Sequence, residues 1–356
     1  MSAGVRAGKG TGSGNQDTGR SNGGTGSGTG RTGTGNGTTS KAKKDRGFPP
    51  AESPLPGAVV DNHTHLPLLA PDGSPLDPDD PGIPGGADPI DTDTQIARAG
   101  EVGVVGMLSV ACDVPSLAGT VRLAHEHAEI GAAVAIHPNE AALHAKVLDV
   151  APDGLDADLR EHHDLSPAEA LERVAQLASD DRVVAIGETG LDFFRTAAGR
   201  GHDAQVASFR DHLALARELG KAVQIHDRDS HDEVTDILLR DGAPERTVFH
   251  CFSGGEKLAR ACATHGWYVS VAGPVTFTKN DALRDAIALV PEELLLVETD
   301  SPYLTPAPMR GRPNASYVMT RTVRALAEIR GTDLERLCER LTATSGEVYG
   351  AFWRAA

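Results

Sequence analysis

The chain has 356 residues, a net charge of −16 and few aromatic side chains (8 Phe, 2 Trp, 4 Tyr), and nowhere does it reach the ~18 uninterrupted apolar residues of a membrane span. Residues 1–50 carry eight Lys or Arg against two Asp, a net of +6, so the remainder carries −22, which makes the body a poor general trap for a polyanion. Four cysteines (Cys112, Cys251, Cys262, Cys338) with no CxxC pair argue against a disulfide scaffold and for reduced thiols.

Residues 1–56 form a basic tail rich in Gly, Ser and Thr with almost no large apolar side chain. Such a segment buries too little surface to offset its ordering entropy and is expected to be disordered. It has no apolar h-region, so it does not read as a secretory signal, and a cytoplasmic protein is expected.

From residue 57 to 356, strand and helix signals alternate. Strand-type runs lie at 58–63, 102–112, 132–137, 182–188, 222–227, 247–252, 267–273 and 294–300. Helical patterns lie at 115–130, 167–179, 203–219, 231–240, 255–265 and 280–289, and two more (313–330, 333–349) follow the last strand. Ser166-Pro167-Ala168-Glu169 carries N-cap and first-turn signals, and Gly220 stands where a C-cap glycine would. Eight strands alternating with helices predict an α/β fold of parallel βα units closing as a (β/α)8 TIM barrel. Two insertions break the rhythm: 66–93, with seven prolines, and 144–166, with His162 and His163. Both leave the C-terminal face of the barrel, where they are lids or plain surface loops.

Several strands stop at a metal-binding side chain. His63-Thr64-His65 ends the first; residues i and i+2 of an extended chain share a side, so both imidazoles can face one cation. Glu188 ends the fourth, in Ile186-Gly187-Glu188-Thr189-Gly190-Leu191-Asp192, and its two oxygens can bridge two ions. His226 and His250 end the next two strands, and Asp300 follows the last, with Glu298 on the same side as a supporting partner. Cys251, by alternation, points away from His250 and reads as a packed small hydrophobe. Only a parallel barrel brings these groups to one face. Six donors, His63, His65, Glu188, His226, His250 and Asp300, exceed the need of one tetrahedral ion and suit two ions about 3.5–4 Å apart. Mixed imidazole and carboxylate donors admit Zn²⁺, Mn²⁺ or Mg²⁺. A mononuclear iron oxygenase site explains fewer of these residues.

These motifs carry a resemblance. With Asp61-Asn62-His63-Thr64-His65-Leu66, Ala135-Ile136-His137-Pro138, Gly187-Glu188-Thr189-Gly190-Leu191-Asp192, Ile225-His226-Asp227-Arg228, His250-Cys251-Phe252-Ser253-Gly254 and Glu298-Thr299-Asp300-Ser301-Pro302-Tyr303-Leu304, residues 58–352 resemble the TatD family of metal-dependent deoxyribonucleases. The resemblance implies that Glu188 bridges two metals, that His63, His65 and Asp300 bind one, and that His226 and His250 bind the other. Related binuclear hydrolases often bridge with a carbamylated lysine; beyond the tail this chain has only Lys146, Lys221, Lys257 and Lys279, none ending the fourth strand. The 66–93 insertion departs from the family's usual short loop.

The expected reaction is phosphodiester hydrolysis by metal-activated water, and the resemblance implies 3′-to-5′ exonuclease action on DNA. The acidic body and the scarcity of aromatic residues for stacking bases suit single strands, frayed 3′ ends or short fragments better than tight duplex binding. Catalytic roles fall to Glu188, to Asp300 as general base or pure ligand, and to His137 as phosphate contact, proton donor or structural histidine. Arg228 and Arg195 are the expected phosphate contacts, with Arg310, Arg312 and Lys279 as further candidates. A monomer is expected. The same metals can hydrolyse an ester or amide, such as an aminoacyl-tRNA ester or a lactone, or act as a phosphatase; a non-enzymatic scaffold has no use for an open six-donor set.

Overall fold

The computed structural model describes residues 46–69, 74, 75, 83 and 86–354. Eight parallel strands form one sheet in sequential order: β1 (Val59–Thr64), β2 (Val104–Ala111), β3 (Ile130–Val134), β4 (Val183–Asp192), β5 (Ala222–Arg228), β6 (Thr247–Phe249), β7 (Tyr268–Val271) and β8 (Leu295–Val297). The helices are α1 (Thr92–Glu101), α2 (Val114–Glu126), α3 (Pro138–His144), α4 (Pro167–Ala178), α5 (Arg200–Leu219), α6 (His231–Asp241), α7 (Glu256–His265), α8 (Asp281–Ala288), α9 (Thr320–Arg330) and α10 (Leu334–Tyr349). This is the TIM barrel that the alternating signals predict. No helix among the described residues is long and apolar enough to cross a membrane.

Each strand buries both faces, so most strands read as apolar runs rather than alternations. Outward residues such as Val59, Ile186, Val223 and Phe249 share one core with the helices. Inward residues are smaller: Val60, Leu108, Ala133, Ala185, Ala222, Val248 and Leu296 fill the barrel together with Val348, Tyr349, Phe352 and Trp353. The last four residues come from the end of α10 and the turn after it, and they plug the N-terminal mouth. There the plug sits so close that a Cβ on Gly106, near the start of β2, would stand 2.8 Å from Trp353 Cβ.

Between β1 and β8 the ladder is reduced to a single bridge, Thr64 to Ser301. Motif residues close the gap. His65 N–H donates to Ser301 O (2.8 Å), and Asp300 N–H donates to His63 O (2.9 Å). The Asp61 carboxylate accepts from Thr299 N–H (2.9 Å) and Thr299 Oγ1 (2.6 Å), and Asn62 Nδ2 donates to Val297 O (2.8 Å).

Some elements differ from the sequence reading. β3 ends at Val134, three residues early, because His137 caps α3 and Pro138 opens it with a φ already suited to a helix. Neither α3, seven residues long, nor α1, which emerges from the proline-rich insertion, is among the helices that the sequence predicts. Residues 1–45 of the expected disordered tail, and most of 70–85, lie outside the described residues. Residues 47–55 lie against the barrel: Tyr317 Oη donates to Pro49 O (2.9 Å), Arg324 to Ser53 O (2.9 Å), and Leu55 is buried.

Replacing a core aromatic with alanine costs about 3–5 kcal/mol. Trp353→Ala is therefore expected to lower the urea midpoint by an amount corresponding to that loss with an unchanged m value; a change under about 1 kcal/mol would mean that the plug does not hold the barrel.

Candidate metal centre

Strict strand alternation does not by itself aim all the predicted donors inward. Ile186 faces the helices, so Glu188, two residues on, would face them as well. The β4–β5 register shifts between Ile186 and Thr189, and the β1–β2 register shifts between Asp61 and Thr64. Irregularities of this kind re-aim side chains near functional sites. Here they turn Glu188 and His63 into the barrel mouth. Gly190 makes the first possible, because a Cβ there would lie 2.0 Å from His226 O. His226 and His250 need no such device; they continue the inward registers of Gln224 and Val248.

All six expected donors meet around Glu188. Its Oε2 faces His63 Nε2 (2.9 Å) and His65 Nε2 (4.0 Å). Its Oε1 faces His226 Nδ1 (2.8 Å) and His250 Nε2 (3.5 Å). Asp300 Oδ1 is on the Oε2 side, 3.4 Å from His65 Nε2 and 3.9 Å from His63 Nε2.

The tautomers follow from the partners. Gln224 donates its Nε2 hydrogens to Asn62 O and Tyr349 Oη (2.6 and 2.8 Å), so its Oε1 only accepts, and His63 must carry its proton on Nδ1, 3.0 Å away. His63 Nε2 then presents a lone pair. It and Glu188 Oε2 are buried and neither makes a hydrogen bond, although they approach to 2.9 Å. Two partnerless acceptors held together in this way fit a cation between them. His65 Nδ1 donates to Val110 O (3.2 Å), which leaves its Nε2 lone pair toward Asp300 and Glu188. The donor set therefore fits divalent metal.

His137 behaves differently. Its Nδ1 accepts from Asn139 N–H (3.1 Å), so Nε2 bears the proton and stands 3.0 Å from Glu188 Oε1. It is a donor at the edge of the centre rather than a lone pair aimed into it. Burial, and then the neighbouring His226, hold its pKa below the ordinary value and keep it neutral.

The field at the site is strong. Burial alone would raise the Glu188 carboxyl, but His250, His137 and His226 outweigh it and hold it well below the usual carboxylate range. Burial likewise opposes a charge on His65, yet Asp300 and Glu188 lift its pKa to about 9, so its Nε2 carries a proton that an incoming cation would displace to reach the lone pair. Burial pushes the Cys112 and Cys251 thiols well up, which disfavours either as a nucleophile. Cys251 nonetheless lines the cleft beside His250, contrary to the alternation argument: β6 ends at Phe249, and Cys251 takes a φ of 43°, so the strand period no longer applies.

A cleft of about 1070 Å³ opens over the centre, and Arg195 and Arg228 both line it, as do Asp113, Asn139 and Arg160. The Arg228 guanidinium lies 4.2 Å from the Phe194 ring centre. Arg310, Arg312 and Lys279 are not among its lining residues. Arg312 donates instead to Gly47 O and Phe48 O, and Arg310 stacks on Phe277.

Three supporting residues had no assigned role in the sequence reading or only a general one. Asp192 Oδ2 stands 3.2 Å from His226 Nε2, while Oδ1 accepts the N–H groups of Phe194 and Arg195 (3.1 and 2.8 Å). Burial raises this carboxyl, but His226 prevails and brings its pKa to about 2. Gln224 fixes His63, and Glu298 Oε1 accepts from Cys251 N–H (2.5 Å) and lies 3.5 Å from His250 Nδ1. An inward polar residue two positions before a ligand was the available signal for Gln224 and Glu298.

A sequence profile of the family described as TatD related DNase matches residues 60–350. The chain is 35% identical over 298 residues to the Mycobacterium tuberculosis protein named "Uncharacterized metal-dependent hydrolase TatD", covering 83% of this chain and 99% of that protein. It is 32% identical over 254 residues to the "3'-5' ssDNA/RNA exonuclease TatD" of Enterobacter lignolyticus, covering 69% and 88%. Among solved structures, the TatD homologue YjjV of Escherichia coli K12 superposes with a TM-score of 0.65 at 26% identity, covering 82% of this chain and 97% of that one.

Asp192→Asn keeps the caps on Phe194 and Arg195 but removes the charge behind His226. It is expected to weaken metal affinity by about 10- to 100-fold in chelator competition while leaving the circular dichroism spectrum unchanged; an unaltered affinity would show that Asp192 does not support the centre.

Proposed function

The chain belongs to the TatD-related DNase family of metal-dependent hydrolases, and from that membership we propose that it removes nucleotides from the 3′ end of single-stranded nucleic acid, with two divalent cations bridged by Glu188. The observation that carries the two-ion reading is the division of labour at this carboxylate: one oxygen faces His63 and His65, the other His226 and His250. A lone ion needs only one of those oxygens.

His63, His65 and Asp300 would hold one ion and His226 and His250 the other, and Mg²⁺, Mn²⁺ or Zn²⁺ suits such donors. Bound divalent cations supply Lewis acidity at a phosphoryl oxygen and bring the pKa of water toward neutrality. The protein's own groups do the rest. Asp300 has an oxygen 3.4 Å from His65 Nε2 and is the proton acceptor for the attacking water. His137 offers the Nε2–H to a phosphate oxygen or to the leaving oxygen. Arg228, stiffened against Phe194, and Arg195 contact the phosphate backbone.

The acidic body limits affinity for long polyanions, so short strands and frayed 3′ ends, DNA above all, are the fitting substrates. All six ligands and both arginines come from one chain, and the reading takes a cytoplasmic monomer as the acting unit.

Incubation with 3′- or 5′-labelled single-stranded DNA, with Mg²⁺ or Mn²⁺ and with EDTA, tests this. Stepwise loss from the 3′ end that EDTA abolishes, and that Glu188→Ala lacks, is the expected result. Arg228→Ala should lower kcat/KM by about tenfold, the value of one charge-assisted phosphate contact of ~1.5 kcal/mol. Intact DNA alongside rapid cleavage of an aminoacyl ester would replace the nuclease reading with an esterase one.

A further inference from the structure

A second knot of imidazoles and carboxylates lies beside the cleft, in the segment that joins α3 to α4. Glu140 and His144 sit on α3, one and two turns after His137. His162 and His163 sit in the short turn Glu161–Asp164 of the second insertion. One donor atom each from Glu140, His144 and His163 falls within a 4.8 Å group, and so does one each from Asp113, Glu140 and His162. His162 Nε2 and His163 Nε2 both converge on Glu140 Oε2, at 3.0 and 2.8 Å, much as His137, His226 and His250 converge on Glu188.

A structural network alone does not satisfy this cluster. His144 Nδ1 lies 2.9 Å from Leu165 O; a carbonyl only accepts, so the proton is on Nδ1 and Nε2 presents a lone pair. That Nε2 is buried with no hydrogen-bond partner, on a residue only 2% exposed. An unsatisfied buried acceptor is destabilising unless something occupies it. Burial also keeps the imidazole neutral. His163 has a different part: its Nδ1 accepts from Arg160 N–H (2.9 Å), so its Nε2–H donates to Glu140 and orients that carboxylate.

Glu140 belongs to both groups, and the ring centres of His144 and His162 are 5.9 Å apart. We propose that Glu140, His144 and His162, with Asp113 in reach of Glu140 and His162, form a third divalent-cation site, distinct from the centre at Glu188, that fastens the 145–165 segment to α3. Two imidazoles with carboxylates suit a borderline ion of zinc type. The ion takes the place of the proton that His162 Nε2 shares with Glu140. Asp113, Asn139 and Arg160 line the same cleft as His137, so the ion would fix one wall of it.

The test is an ion count. After equilibrium dialysis against Zn²⁺, wild-type protein should hold one ion more per chain than His144→Ala and than His162→Ala, the second variant guarding against a folding defect at buried His144. In the Glu188→Ala, His250→Ala background, where the other centre is dismantled, one ion should remain and should vanish when His144→Ala is added. His163→Ala should retain the site with an affinity about 10- to 100-fold weaker. Equal counts in wild type, His144→Ala and His162→Ala, all folded by circular dichroism, would overturn the proposal. The count does not depend on nuclease activity: protein that leaves DNA intact yet loses one ion with His144→Ala keeps this site and loses only the proposed substrate.

Discussion

Between β1 and β8 the regular ladder is missing, and side chains hold the two strands together: the Asp61 carboxylate on Thr299, the Asn62 amide on Val297 O, the Thr64 hydroxyl 2.6 Å from that of Ser301. Backbone bonds from His65 to Ser301 and from Asp300 to His63 complete the join. The same few residues that close the barrel therefore carry three of the metal-facing groups. Closure fixes the distance from His65 to Asp300, and a barrel that opened at this point would lose the site with it. Asp61 illustrates the cost: burial lifts its carboxyl to about 7 even though the hydrogen bonds from the Thr299 hydroxyl and N–H act to lower it.

Around that join, charge is arranged to be incomplete. Glu188, Asp300, Glu298 and Asp192 surround four imidazoles whose orientation is set from behind by Gln224, Val110 O, Glu298 and Asp192. Pre-orientation of this kind removes reorganisation at the moment of reaction, the usual source of electrostatic catalysis. Glu188 gains its central position from an interruption in β4 rather than from the strand's period, so an irregular part of the ladder holds the group on which the four ligand histidines converge.

Much of this was legible in the sequence. Eight apolar runs, several of them ending in His, Glu or Asp, predicted both the barrel and the gathering of His63, His65, Glu188, His226, His250 and Asp300, because parallel strands deliver their C-terminal ends to one face. The limits of the reading are physical. Period-two alternation says nothing once a strand shifts register or ends, and so it aimed Cys251 the wrong way. A seven-residue helix after a proline carries too little periodicity to separate α3 from the preceding strand. Arg310, Arg312 and Lys279 follow strands in sequence, but long side chains choose partners in space, and at least the arginines found a carbonyl and an aromatic ring.

The span of the β1–β8 join has a consequence for the newborn chain. Asp61 and Thr299 are 238 residues apart, and Gln224, which orients His63, leans on Tyr349 near the end of α10. At ribosomal speeds of about 5–20 residues per second, β1 waits on the order of tens of seconds for β8. Through that interval its unpaired edge and its polar DNHTH residues lack their native partners. The nascent protein is thus most exposed to mispairing at its first strand, and cations met early in synthesis find histidines that do not yet share a space.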